Sequence, residues 1–209
     1  RCHETWIIQA TCKVGEQPAE RGQHAEAATA YLRAAEEFPE DECSRQAVYN
    51  AGLERQRAGD LGGAAEAYEL LIDRYPGSSE GALGAWAGAQ MYESIAQFSD
   101  AARFYESYGR HFREAEKAHE ATYNAVLLRM TANDNDEAIV VGRYYLERYP
   151  RHENADDVYF FIGRAHEGNE DWSEAADTYR EYVRRTRDQD RKVEAQTRLA
   201  QVLARGGEE

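Results

Sequence analysis

Ala64-Ala65-Glu66-Ala67-Tyr68-Glu69-Leu70-Leu71-Ile72-Asp73-Arg74-Tyr75-Pro76 carries Ala64, Ala65, Tyr68, Leu71, Ile72 and Tyr75 at three- and four-residue steps. That spacing places them on one face of a helix. Pro76-Gly77-Ser78-Ser79 stops the helix and offers an N-cap for the next one. The stretch is not alone. Steps of 37 residues carry Ala64 to Ala27, Ala101, Ala138 and Ala175, and carry Tyr68 to Tyr31, Tyr105, Gly142 and Tyr179. The closing Pro76 has Pro39 and Pro150 in phase, with Arg113 and Arg187 at the remaining steps. Phe38, Tyr75, Phe112, Tyr149 and Thr186 stand immediately before them. Alanine five times in phase, with an aromatic four times, marks a repeat protein.

Each unit reads as two amphipathic helices. In the second unit Ala47, Val48, Ala51 and Arg55 fall at helical spacing before Ala58-Gly59-Asp60 breaks the pattern. Turns between paired helices are predicted near Gly59, Gln97, Asn133 and Glu170. Gly52, Ala64, Gly163 and Ala175 let the helices of a pair approach closely, while large aromatics fill the gaps between pairs.

These motifs resemble the tetratricopeptide repeat family. The best matches are Tyr49-Asn50-Ala51-Gly52 with Gly59-Asp60, Ala64, Tyr68 and Pro76, followed by Phe160-Phe161-Ile162-Gly163 with Asp171-Trp172, Ala175 and Tyr179. The fourth unit departs, with Gly142 at the aromatic place, and the first has Pro18 inside or ending its first helix. The resemblance implies an all-α fold, a right-handed α-solenoid of five helix pairs. Repeats fall at about 8–44, 45–81, 82–118, 119–155 and 156–190, with a C-terminal capping helix at about 191–205, all in one domain. The period exceeds the family's usual repeat, the extra residues falling after the proline. With the closures Tyr75-Pro76 and Tyr149-Pro150, this is similar to bacterial envelope proteins of the outer-membrane assembly lipoprotein and Tol–Pal accessory coordinator types.

Composition excludes several functions. A formal net charge of -14 opposes phosphate binding, so nucleic acid is not expected as a partner. No run approaches the apolar length of a transmembrane helix. The chain opens Arg1-Cys2-His3-Glu4 and reads as a mature product or an excised piece of something longer. His3, His24, His111, His119, His152 and His166 form no metal-binding pair at helical spacing, and no nucleophile elbow or phosphate-cradling loop is present. No catalytic residue, cofactor or metal is expected.

Two sets of residues stand out. Cys2, Cys12 and Cys43 lack metal or redox spacing. Neighbouring first helices in such a solenoid run side by side, which sets Cys2 and Cys43 at similar heights. A Cys2–Cys43 disulfide is expected in an oxidising compartment, with independent thiols as the alternative. The second set is an aromatic ladder. Tyr49, Trp86, Tyr123 and Phe160 share one place in consecutive first helices, which line the concave face in the tetratricopeptide family. Asn50, Leu53, Gln90, Asn124, Leu127, Phe161 and Arg164 are their expected neighbours, and Glu93, Glu120, Asp157 and Glu167 make the groove acidic.

Aromatic anchors ringed by amides suit a peptide or partner helix that is apolar with basic flanks. The competing reading is that these aromatics only pack between units. The expected function is a protein–protein interaction scaffold in assembly or maintenance of the bacterial envelope. Its expected place is periplasmic or outer-membrane-associated, with self-association open. The alternative is a regulatory or substrate-recruiting module of a larger cytoplasmic signalling protein or enzyme.

Overall fold

A computed structural model describes residues 13–40 and 42–207. Among these residues there are eleven α-helices and no strand. They are α1 (Glu16–Glu20), α2 (His24–Glu37), α3 (Glu42–Arg57), α4 (Leu61–Arg74), α5 (Ser79–Ser94), α6 (Phe98–His111), α7 (Ala118–Ala132), α8 (Asn135–Arg148), α9 (Ala155–Gly168), α10 (Trp172–Arg185) and α11 (Gln189–Gly206). The all-α tetratricopeptide architecture expected from the sequence is the one observed. Pro18 lies inside α1 rather than after it, in the first turn, where its missing N–H costs no helical bond.

The chain divides into two compact units: the residues up to Ala96 with Arg110–Ala115, and Gln97–Gly109 with Glu116 onward. In the first, α2 packs on α3, α3 on α4, and α4 on α5, while α3 also touches α5. In the second, α7 packs on α8, α8 on α9, α9 on α10 and α10 on α11, while α7 touches α9. Within each unit successive helices thus pack together, and the first helices α3 and α5, and α7 and α9, also touch each other.

The in-phase alanines mark the seams. Ala27, Ala64, Ala101 and Ala175 are 0% exposed and Ala138 1%. Their small size brings helices close enough for the ring of the second helix to cover a glycine of the first. A Cβ on Gly163 would lie 2.7 Å from Tyr179 Cε1. Gly142 has a physical reason to differ. A Cβ there would sit 2.8 Å from Ile162 Cγ1, because Ile162 and Val158 fill the room that an aromatic takes elsewhere.

Caps follow the sequence. Ser78 Oγ accepts from Gly81 N–H at 2.9 Å and opens α5, and Asp60 Oδ1 accepts from Gly63 N–H at 2.9 Å and opens α4. The closing prolines tie successive repeats through their carbonyls. Tyr75 OH donates to Pro39 O at 2.8 Å in the first unit, and Arg185 NH2 donates to Pro150 O at 3.1 Å in the second.

The turn between paired helices holds one residue in the left-handed region. It recurs in phase at Gly22, Gly59, Ala96, Asn133 and Glu170. Glycine accepts this conformation freely and asparagine tolerates it, whereas other side chains pay ~1–2 kcal/mol in local sterics. Replacing Glu170, at φ 62, with glycine relieves that strain but frees the unfolded chain. We expect Glu170→Gly to stabilise by about 0.5–1 kcal/mol in urea titrations and Asn133→Gly to change stability little. Destabilisation by Glu170→Gly would refute the assignment of strain to this turn.

Candidate functional site

The ladder residues fall in both units. Tyr49, Asn50 and Leu53 are carried by α3, and Trp86 and Gln90 by α5, all in the first unit. Tyr49, Leu53 and Trp86 are half-buried, while Gln90 is exposed. Tyr49 leans on its own repeat's second helix, its ring centroid 6.2 Å from that of Tyr68. Gln46 Nε2 donates to Asn50 Oδ1 at 3.0 Å, which fixes the amide on the same helix.

The second unit carries Tyr123, Asn124 and Leu127 on α7, and Phe160, Phe161 and Arg164 on α9. Tyr123 lies 6.1 Å from Tyr145 and 6.4 Å from Phe161 between ring centroids. Phe160 lies 5.8 Å from Tyr179 and 5.4 Å from Tyr182, with the Arg198 guanidinium 5.6 Å above its ring. These separations are those of attractive aromatic and cation–π contacts. Tyr123, Phe160 and Phe161 nevertheless remain half-buried, and Arg164 is exposed. The rings therefore pack inward on one edge and stay open on the other.

A cleft of about 180 Å³ opens beside them, lined by Asp157, Phe160, Phe161, Tyr182, Arg191 and Glu194. Asp157 and Arg191 form an ion pair across it, and Asp157 raises the Arg191 pKa further. The Tyr123 hydroxyl is pushed up by burial and then by the neighbouring Asp157 carboxylate, so it stays a neutral donor. Glu167 is also engaged, accepting from Tyr179 OH at 3.0 Å and from Arg198 NH1 at 3.1 Å. Two of the acids expected to give the groove its charge are thus matched by arginines of α11. Glu93 and Glu120 are exposed.

Tyr182, Arg191 and Glu194 are site-lining residues that the ladder did not include. Tyr182 had a signal in the sequence, since Tyr108, Tyr145 and Tyr182 recur at the same 37-residue step. Glu194 had one too, standing one 37-residue step from Asp157, itself one step from Glu120; Arg191 had none, because its role depends on where α11 docks. Cys43 is half-buried and disulfide-bonded. Cys2 and Cys12 fall outside the described residues, and with them the expected Cys2–Cys43 pairing. Among the described residues no group of three or more His, Cys, Asp or Glu side chains could hold a metal ion.

A tetratricopeptide-repeat family model matches residues 46–78, within the first unit. A second family model, YfiO, described as an outer membrane lipoprotein, matches residues 84–205, more than half of the chain. The chain belongs to the YfiO outer membrane lipoprotein family. The match runs from α5 through α11, so the residues lining the cleft in the second unit are all within it. No curated protein matches the chain. Similar backbones among solved structures include BtubC from P. vanneervenii, 16% identical, covering 85% of this chain and 79% of that one at a TM-score of 0.44. A MamA protein is 16% identical over 85% of this chain and 90% of that one, at 0.45. The pilF protein of Pseudomonas aeruginosa is 14% identical over 94% and 84%, also at 0.45. At these scores they add nothing to the assignment of this YfiO-family chain. No helix among its described residues is long and apolar enough to cross a membrane.

Proposed function

We propose that this YfiO-family protein is an interaction scaffold of the bacterial envelope, associated with the outer membrane on its periplasmic side. In each unit its first helices would grip an apolar segment of another protein. The observation that carries this reading is the half-buried aromatic at one place in four successive first helices, Tyr49, Trp86, Tyr123 and Phe160. A residue needed only for packing has no reason to keep an open edge in four successive repeats. Amphipathic aromatics with partly exposed faces suit anchoring contacts, where a few residues supply most of the affinity. Membership of an outer membrane lipoprotein family supports the location. The disulfide at Cys43 supports an oxidising compartment.

The partner segment is apolar with basic flanks. Because Arg191 and Arg198 already match Asp157 and Glu167, its cations would be met by the exposed Glu120. Pairing at exposed carboxylates weakens as salt rises.

The test is capture of the partner by mild crosslinking in the native organism, followed by titration of the purified pair. Trp86→Ala and Tyr123→Ala should each reduce affinity on the order of thirtyfold, about 2 kcal/mol. Helix content should stay near that of the parent in circular dichroism, since neighbouring repeats still stack. Parental affinity in both variants would mean that the ladder is packing and the partner binds elsewhere.

A further inference from the structure

A segment with a basic residue on each flank brings two cations to the groove, and Glu120 meets one of them. The cleft beside the second unit's rings has the chemistry to take the other. Phe160 and Phe161 give it an aromatic wall, Asp157 and Glu194 supply carboxylates, and the buried Tyr182 adds a hydroxyl. Such a wall beside a carboxylate suits a guanidinium, which stacks on a ring and pairs as a planar fork. The chain's own arginines already use both features. Arg198 lies 5.6 Å above the Phe160 ring, and Arg191 pairs with Asp157 and faces the Tyr182 hydroxyl.

Arg191 has two seats. Its side chain is 53% exposed, whereas that of Asp157 is 22% exposed. Arg191 Nε also lies 3.7 Å from Asp188 Oδ2, a second carboxylate on its own side of the cleft. Asp188 caps α11 with its other oxygen, Oδ1, which accepts from Asp190 N–H at 3.0 Å and Arg191 N–H at 3.1 Å. Turning from Asp157 to Asp188 therefore leaves the cap intact and keeps the guanidinium paired. The exchange is cheap, because ion pairs open to water contribute little to stability. Asp157 meanwhile keeps its hydrogen bond with the Tyr123 hydroxyl.

We propose, resting on the reading of these first helices as a partner groove, that Arg191 is an internal stand-in for an arginine of the partner. In the free chain it occupies Asp157. On binding it turns to Asp188, and the partner's guanidinium takes Asp157 against the Phe160 and Phe161 wall. Arginine is selected over lysine by the fork and the stacking, which an ammonium lacks. Arg191 thus sets the specificity of the cleft by competing for it.

The probe is N-acetyl-arginine amide, titrated into the full chain and followed by amide chemical shifts of residues 155–165. Arg191→Ala should bind it at least about fivefold more tightly than the parent, a direction that simple damage to the cleft would not produce. Adding Asp157→Asn should remove the gain, and N-acetyl-lysine amide should gain less. Asp188→Asn keeps a capping side chain but removes the charge of the second seat, so it should weaken binding of the probe relative to the parent. No gain in a folded Arg191→Ala, or an equal gain for N-acetyl-leucine amide, would overturn the proposal. If Arg191→Ala loosens α11 in hydrogen exchange, Asp188→Asn decides, and unchanged binding there overturns the second seat. The probe needs no partner. Its failure removes the stand-in alone, while the ladder stands or falls on the partner titrations of Trp86→Ala and Tyr123→Ala.

Discussion

Tyr179→Ala is expected to cost about 3–5 kcal/mol and to loosen the C-terminal end of the second unit before any other part of it. Tyr179 is 0% exposed. Its ring lies over Gly163 and clusters with Ala175, Ala176 and Val202, so truncation opens a void where α9, α10 and α11 meet. The hydroxyl adds a second tie, donating to Glu167 Oε2, which also accepts from Arg198 of α11. A stack of repeats loses stability locally, so hydrogen exchange should rise first in residues 155–206, and chemical denaturation should give the total. Tyr179→Phe keeps the ring and should cost only ~1 kcal/mol. Burial, then Glu167, raises the pKa of Tyr179 in the folded protein. A raised pKa means that this stability is fully present below the unfolded value near 10 and is lost as pH climbs through the folded value. The phenylalanine variant should therefore fall less steeply in alkaline melts. A Tyr179→Ala loss below ~1 kcal/mol would show that α11 is not held through this ring.

The repeat was readable because each of its parts answers to a local rule. Small residues in phase set the helix seam, aromatics cover them, and prolines end the second helices; all of these are sequence features at one period. The left-handed turn was only half readable. Gly22 and Gly59 advertise it, but Ala96 and Glu170 adopt the same conformation with residues that do not favour it. The helix ends on either side impose the turn there, a tertiary demand overriding local preference. Gly142 was visible as a departure, yet its cause lies in Ile162 and Val158, further along the chain and one helix away.

The candidate site was legible in position and not in charge. Tyr49, Trp86, Tyr123 and Phe160 were picked out by phase and are half-buried on the helices expected. Asp157 and Glu167 looked like free groove acids. Their neutralisation needs Arg191 and Arg198, which sit 34 and 31 residues away and meet them only because α11 docks in register. Ion pairs of this kind carry no periodic signal. A helix classed as a cap on its position at the end of the array thus turns out to set the electrostatics of the second unit's cleft.

His24→Ala is expected to destabilise the first unit by about 3 kcal/mol, whereas Glu54→Met should leave it as stable or make it more so by ~1–4 kcal/mol. Glu54 occupies the place that Met91, Leu128 and Ala165 hold in the other first helices, and it is 4% exposed. A carboxylate there must be held. His24 Nδ1 lies 2.6 Å from Glu54 Oε2, and Arg57 NH1 reaches the other oxygen at 2.5 Å. Arg57 is 60% exposed on its side chain, so water competes for it, and the less exposed imidazole is the firmer partner. Removing His24 leaves a buried charge with one mobile partner, and desolvation makes that costly. Replacing the carboxylate itself removes the burden, and methionine fits a position where another repeat already buries one. The double variant His24→Ala, Glu54→Met should be close to Glu54→Met alone, because the histidine has then lost its buried acceptor. Chemical denaturation of the four proteins completes the cycle. If His24→Ala costs as much in the Glu54→Met background as in the parent, the imidazole stabilises through packing and its hydrogen bond to Glu54 is incidental.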